Sequence, residues 1–133
     1  MRAEGKKLAV ATDMGEYTDY TISHLQDCDG MLLEANHDIN MLQVGPYPYS
    51  LKMRILGNKG HLSNTSCADL IKEILHKDLK HLVLGHLSRE NNFPQLAYRT
   101  VLDELEKTET WGTLDTRLMV ASRDEPTELL KIN

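Results

Sequence analysis

Cysteine, long apolar runs and basic charge are all in short supply, and each shortage excludes something. Cys28 and Cys67 are the only cysteines among 133 residues. Far apart and without a CxxC pairing, they argue against a disulfide framework or a structural zinc knuckle and read as buried or idle thiols. No uncharged apolar stretch approaches the roughly 20 residues that span a bilayer. The opening MRAEGKK has no apolar signal region, so a cytoplasmic location is expected. Fifteen Lys and Arg against twenty Asp and Glu give a net charge of -5. A general electrostatic footprint for nucleic acid is therefore absent, and any phosphate binding must be local. GxGxxG, Walker A, GxSxG, HxH and HExxH motifs are missing too, and Gly57-Asn58-Lys59-Gly60 is only superficially like a phosphate loop.

What is present, 41% hydrophobic and 26% charged residues, suits one globular unit. Leu8 to Thr12 is an apolar run ending at Asp13, the mark of a buried strand entering a turn. A helix follows from about Thr18 to Gln26, then a strand Met31-Leu32-Leu33 that ends at Glu34. Asn36-His37-Asp38 can cap a short helix bearing Ile39, Met41 and Leu42, which Gly45-Pro46 stops. Ser50 to Leu56 fits strand or helix equally. Ser63-Asn64 precedes a strongly periodic helix whose apolar face is Cys67, Leu70, Ile71, Ile74 and Leu75. His81 to Leu84 reads as a strand bounded by Gly85 and ending at His86; Pro94 opens another helix, and Leu118 to Ala121 forms a last strand. Alternating strands and helices predict an α/β layer architecture.

Asp13, Glu34 and His86 each stand at a strand end, and each can bind a metal or move a proton. In open α/β sheets ligands gather at the carboxyl ends of strands, so this shared position is the main functional clue. His61, before the start of a helix, is a fourth candidate. Taken singly, each has a plainer reading: Asp13 as a turn former, Glu34 as a solvated carboxylate, His86 as a core histidine bonded to backbone. His24 and His76 read as solvated. Arg89 to Asn92, just beyond His86, can hold a phosphate or orient that histidine.

The order Thr12-Asp13-Met14-Gly15, Leu33 to Asp38 (LEANHD), Gly60 to Asn64 (GHLSN) and Gly85 to Asn92 (GHLSRENN) resembles the metallo-β-lactamase superfamily. Within it, NHDINML, GPYP, LKMRI, GHLSN and HLSRENN together resemble the bacterial YycJ/WalJ (VicX) family over nearly the whole chain, and tRNase Z more distantly. That resemblance implies half of an αββα sandwich with a mixed sheet, and phosphodiester hydrolysis on nucleic acid at a pair of divalent ions, zinc or manganese. It implies Asp13 and His86 as metal ligands and Glu34 with His61 as a proton relay. Ser88, Arg89 and Asn91 would lie near the scissile phosphate, and Lys52 and Arg54 would follow the backbone.

One departure from the family pattern is large. The HxHxDH cluster that supplies most of the metal ligands is absent, and the six histidines at 24, 37, 61, 76, 81 and 86 contain no HxH spacing. The chain, residues 1–133, therefore reads as a single partial domain, the carboxyl-terminal half of the fold. His37 stands as a reserve ligand. The expected activity of the complete enzyme is a 5' to 3' exonuclease favouring DNA. The competing readings are an inactive half-domain used for assembly, or a hydrolase of small non-nucleic substrates. Half a sandwich leaves an apolar face uncovered, so a homo-oligomer or a complementing amino-terminal half is the expected partner, with no membrane involved.

Overall fold

The computed structural model describes residues 2–3, 6–11, 16–56 and 60–121, so Asp13 and its TD-G surroundings lie outside the described residues. A two-residue strand β1 (Arg2–Ala3) precedes β2 (Lys6–Ala11), helix α1 (Asp19–Leu25) and β3 (Gly30–Glu34). Three helices follow, α2 (Ile39–Val44), α3 (Tyr49–Leu56) and α4 (Asn64–Ile74), before β4 (His81–Gly85). Helix α5 (Pro94–Glu106), a 3-10 turn at Trp111–Thr113 and β5 (Arg117–Val120) complete the described chain.

Local chemistry accounts for the helix starts. Thr18 caps α1 in a reciprocal box with Thr21, Asp38 accepts from the Met41 amide, and Ser63 accepts from the Ser66 amide. Pro94 opens α5, where its missing N–H costs nothing. The stretch whose pattern fitted strand or helix is α3, and no residue of it is buried. A helix that buries no face need not carry a clear 3.6-residue stripe, which explains the ambiguity.

The strands lie in the order β1-β2-β3-β4-β5. β2 through β5 are all parallel, each paired with its sequence neighbour, where a mixed sheet was expected; antiparallel pairing is confined to β1 on β2. Helical crossovers separate the main strands, and such connections run parallel. Moving one strand at a time in a single direction, right-handed crossovers put α1, α4 and α5 on one face. That face is the core: Ala11, Met31, Leu33, Leu82 and Leu84 share a buried cluster with Leu25 of α1, Ile71 and Ile74 of α4, and Val101 and Leu105 of α5.

The opposite face is apolar but open. By alternation and register it carries Leu8, Val10, Leu32, Val83 and Met119. Val10 is 66% exposed, Leu8, Leu32 and Met119 are partly exposed, and only Val83 in an inner strand is buried. Both cysteines are buried and free, and burial pushes the Cys67 thiol up to about 12. Among the described residues no helix is long and apolar enough to cross a membrane.

The two faces should respond differently to substitution. Leu33→Ala is expected to cost about 2–5 kcal/mol in urea unfolding, whereas Val10→Ser should stay within about 0.5 kcal/mol. A large loss from Val10→Ser would show that this face is covered in the isolated chain.

Candidate active site

Three segments meet at the carboxyl end of the sheet: residues 35–38 after β3, 60–63 before α4, and 86–92 after β4. Glu34, the last residue of β3, pairs in register with Gly85, the last of β4, so the sheet itself sets the side chain beside the segment that carries His86. Glu34 is fully buried. Its Oε2 accepts from His61 Nδ1 at 2.9 Å and from the Leu62 amide at 3.1 Å, while Oε1 accepts from His86 Nδ1 at 2.5 Å. A carboxylate removed from water requires such partners, and the charge-assisted ones are the strong ones. The two imidazoles stand edge to face with centroids 5.3 Å apart.

Gly60 makes the approach of His61 feasible. A Cβ at that position would lie 2.3 Å from the Ile55 carbonyl oxygen and 2.5 Å from that of Arg54, at the end of α3. His61 then donates its own amide to the Ile55 carbonyl at 3.3 Å.

Buried amides lock the surrounding segments together. Asn64 Nδ2 donates to Asn92 Oδ1 at 3.0 Å, and Asn92 Nδ2 donates both to Asn64 Oδ1 at 2.8 Å and to the Ala35 carbonyl at 2.9 Å. The last asparagines of GHLSN and GHLSRENN are thus structural. Backbone bonds add to this: Asn36 to the Leu62 carbonyl, Asn64 to that of His37, and Asp38 to that of Asn91.

Beside the two histidines opens a cleft of about 460 Å³, lined by Asn36, Tyr47, Leu51, Arg54, Ile55, Gly60, Leu87 and Ser88 as well. Arg54 and Ser88 of the expected phosphate contacts therefore border it. Lys52 does not: its Nζ donates to the Gln43 carbonyl at 2.7 Å, at the end of α2. Arg89 is exposed outside the lining, and Asn91 is buried, its amide donating to Ser88 Oγ at 3.1 Å. His37 is buried and away from the lining; burial, aided by nearby His61, pushes its pKa down to about 4. His76, read as solvated, instead bonds the Cys28 carbonyl through Nε2 at 2.7 Å.

Two polar lining residues had no site role in the sequence reading, where Asn36 stood only as a helix cap. Tyr47, from GPYP, lies near Glu90 and Ser88, and burial followed by the Glu90 contact raises its phenol pKa. Asn36 borders both histidine segments, and its place one residue from LEA in a strand-end motif was the available signal.

Donor atoms of Glu34, His61 and His86 all lie within 4.8 Å of one another, a grouping that could hold a metal ion, although here both carboxylate oxygens bond the imidazoles. The carboxylate bonds both Nδ1 atoms, so Nε2 is the nitrogen through which either ring would meet an ion or a phosphate, an arrangement that fixes tautomer and ring orientation.

Comparison with known proteins shows what this chain is similar to. The chain is 36% identical over 129 residues to Exodeoxyribonuclease WalJ of Streptococcus pneumoniae, covering 97% of this chain and 48% of that protein. It is 37% identical over 102 residues to Exodeoxyribonuclease YycJ of Bacillus anthracis, covering 77% of this chain and 39% of the relative. The chain thus spans about half the length of the WalJ protein it matches. No family model matches, and no solved structure gives a significant match.

Gly60→Ala should displace the His61 segment and cost about 1–3 kcal/mol in urea unfolding. Unchanged stability would mean that the end of α3 yields freely. His37 gives a pH signature. Its folded pKa, about 4, lies below the unfolded value of about 6.5, so the unfolded chain binds the extra proton. The stability linked to His37 is complete above pH ~6.5 and falls toward pH ~4, by at most about 1.4 kcal/mol per pH unit. Unfolding of His37→Gln at pH 7.5 and 4.5 should show a smaller acid loss than the parent.

Proposed function

The chain belongs to the WalJ/YycJ family, and we propose that it carries the proton relay and part of the metal site of a metal-dependent exodeoxyribonuclease acting 5' to 3' on DNA. The observation that carries this reading is the buried Glu34 carboxylate bridging His61 and His86 at the edge of an Arg54-bearing cleft. Asp13 and His86 would hold the divalent ions, zinc or manganese, and Glu34 would fix the His86 ring. When bound, such ions lower the pKa of a water and neutralise charge building on the phosphate.

The residues of this chain have separate tasks. Hydrolysis adds a water oxygen to phosphorus and breaks the bond to the leaving sugar oxygen, which must then gain a proton. His61, held through Nδ1 by Glu34, supplies that proton from Nε2. Arg54 and Ser88 border the space where a phosphate would lie, and Arg54 offers a fork of donors that matches its oxygens. The net charge of -5 leaves local cations such as Arg54 to attract the backbone. A cytoplasmic location fits a substrate of this kind.

Assembly is the second component of the proposal. The open face of Leu8, Val10, Leu32 and Met119 is the surface on which an amino-terminal half bearing the HxHxDH cluster would sit, or failing that a second copy of this chain. The ligands of such a half complete the ion pair.

The test is reconstitution. The chain is purified alone and with a complementing half, metal content is read by mass spectrometry, and nucleotide release from linear duplex DNA is followed with oligomeric state on the same samples. Near-zero metal and no release are expected alone, with about two ions per complex and measurable release after reconstitution. His61→Ala in the complex should slow release by about 10²–10⁴-fold. Full activity of His61→Ala would remove the relay, and two ions on the isolated chain would remove the need for a partner.

A further inference from the structure

We propose that Asn36 is a positioning residue that holds His86 in the backbone conformation from which its ring reaches Glu34. The inference rests on the reading of Glu34, His61 and His86 as the working site.

His86 has a φ of 58° and Asp27 one of 61°, the two left-handed non-glycine residues among those described. A non-glycine residue in that region is uncommon, though histidine, asparagine and aspartate enter it more often than most, and the conformation is held where neighbours fix it. Asp27 stands in a turn, where short polar residues enter this region readily. His86 differs in its place in the fold. It follows directly on β4, and the left-handed turn is what ends the strand and brings the ring back over Glu34 of the adjacent strand.

Asn36 contacts this turn on both sides. Its Nδ2 donates to the His86 carbonyl at 2.8 Å, and its own carbonyl accepts the Ser88 amide at 2.7 Å. The same residue donates its backbone amide to the Leu62 carbonyl at 2.9 Å, next to His61. One residue thus joins the segment after β3 to both segments that carry the histidines. Two contacts depend on the side chain, the bond from Nδ2 to the His86 carbonyl and a 3.3 Å contact between Oδ1 and His37 Nδ1, and aspartate at this position keeps an oxygen for the second while losing the donor of the first. The bond to His86 requires a donor: aspartate matches the shape of asparagine but would set an oxygen against the carbonyl, and alanine or serine cannot span the distance. The backbone bonds of residue 36 survive all of these changes, which separates positioning of His86 from general disruption.

The experiment reads the ring protons directly. In the 133-residue chain, labelled with nitrogen-15 at histidine, an Nδ1–H held by a carboxylate gives a downfield proton signal that free rings lose to solvent exchange. His61→Gln and His86→Gln assign one signal to each ring. In Asn36→Asp the His86 signal should disappear while the His61 signal remains and the thermal midpoint stays within a few degrees of the parent. Asn36→Ser decides in the same way should the aspartate variant fail to fold. Retention of the His86 signal in either folded variant overturns the role of Asn36 and leaves the site intact. Simultaneous loss of both signals overturns it as well, because the action would not be specific to His86. Absence of both signals from the parent chain would instead overturn the Glu34-centred site, and the proposal with it.

Discussion

The buried carboxylate of Glu34 organises the carboxyl end of this sheet. A fully desolvated carboxylate is tolerated only when its oxygens are satisfied, and here they bind two imidazoles and a backbone amide. Those partners come from segments 27 and 52 residues away in sequence, so the carboxylate can be satisfied only when β3, the start of α4 and the end of β4 are all in place. The cost of leaving it unpaired, a few kcal/mol, acts as a constraint on the whole end of the molecule. The site is therefore preorganised by the same interaction that the fold needs to avoid a buried, unpaired charge.

Around that carboxylate the supporting bonds are almost all amide to amide or amide to backbone. Asn64, Asn92 and the Ala35 carbonyl form a closed set within the interior, and Asn36 extends it to the rim of the cleft. Networks of this type are worthwhile only when fully satisfied, since any missing member strands the others in a low dielectric. Neutral amides suit the task better than further ions would. They fix the segments without adding charge next to a carboxylate and two titratable rings.

Much of the architecture was legible from apolar runs and caps, and the reasons for the exceptions are physical. Leu82, Leu84 and the Cys67 to Ile74 face lie in the core, as apolar runs and 3.6-residue stripes predict. α3 is ambiguous because none of its residues is fully buried, and the parallel course of the main strands followed from helical crossovers that a fold-level likeness to a mixed sheet overrode. At the site, strand-end positions singled out Glu34 and His86, and family likeness rather than spacing implied the pairing of Glu34 with His61, but the bond from His86 to Glu34 was not anticipated. Lys52, Asn91 and His76 show the limit. Whether such a side chain turns to a cleft, a helix end or a carbonyl depends on contacts across the fold that leave no local pattern.

The open face and the site are connected through the pleat of β3. Alternation puts Leu32 and Glu34 on the same side of that strand, and Leu32 is one of the partly exposed residues of the uncovered face. A layer packed over Val10, Leu32 and Met119 would then run toward the carboxyl ends of the strands, where Glu34 and the two histidines lie. Burial of such apolar surface contributes about 25 cal/mol per Å², a drive that does not depend on any ligand. Residues borne on that layer would arrive beside His86 whether or not an ion were present. Under the proposed assembly, hydrophobic packing brings the ligand sets together, and the ion adds its own affinity to a geometry already built. Association and completion of the site become one event, so an isolated chain would lack both for the same reason.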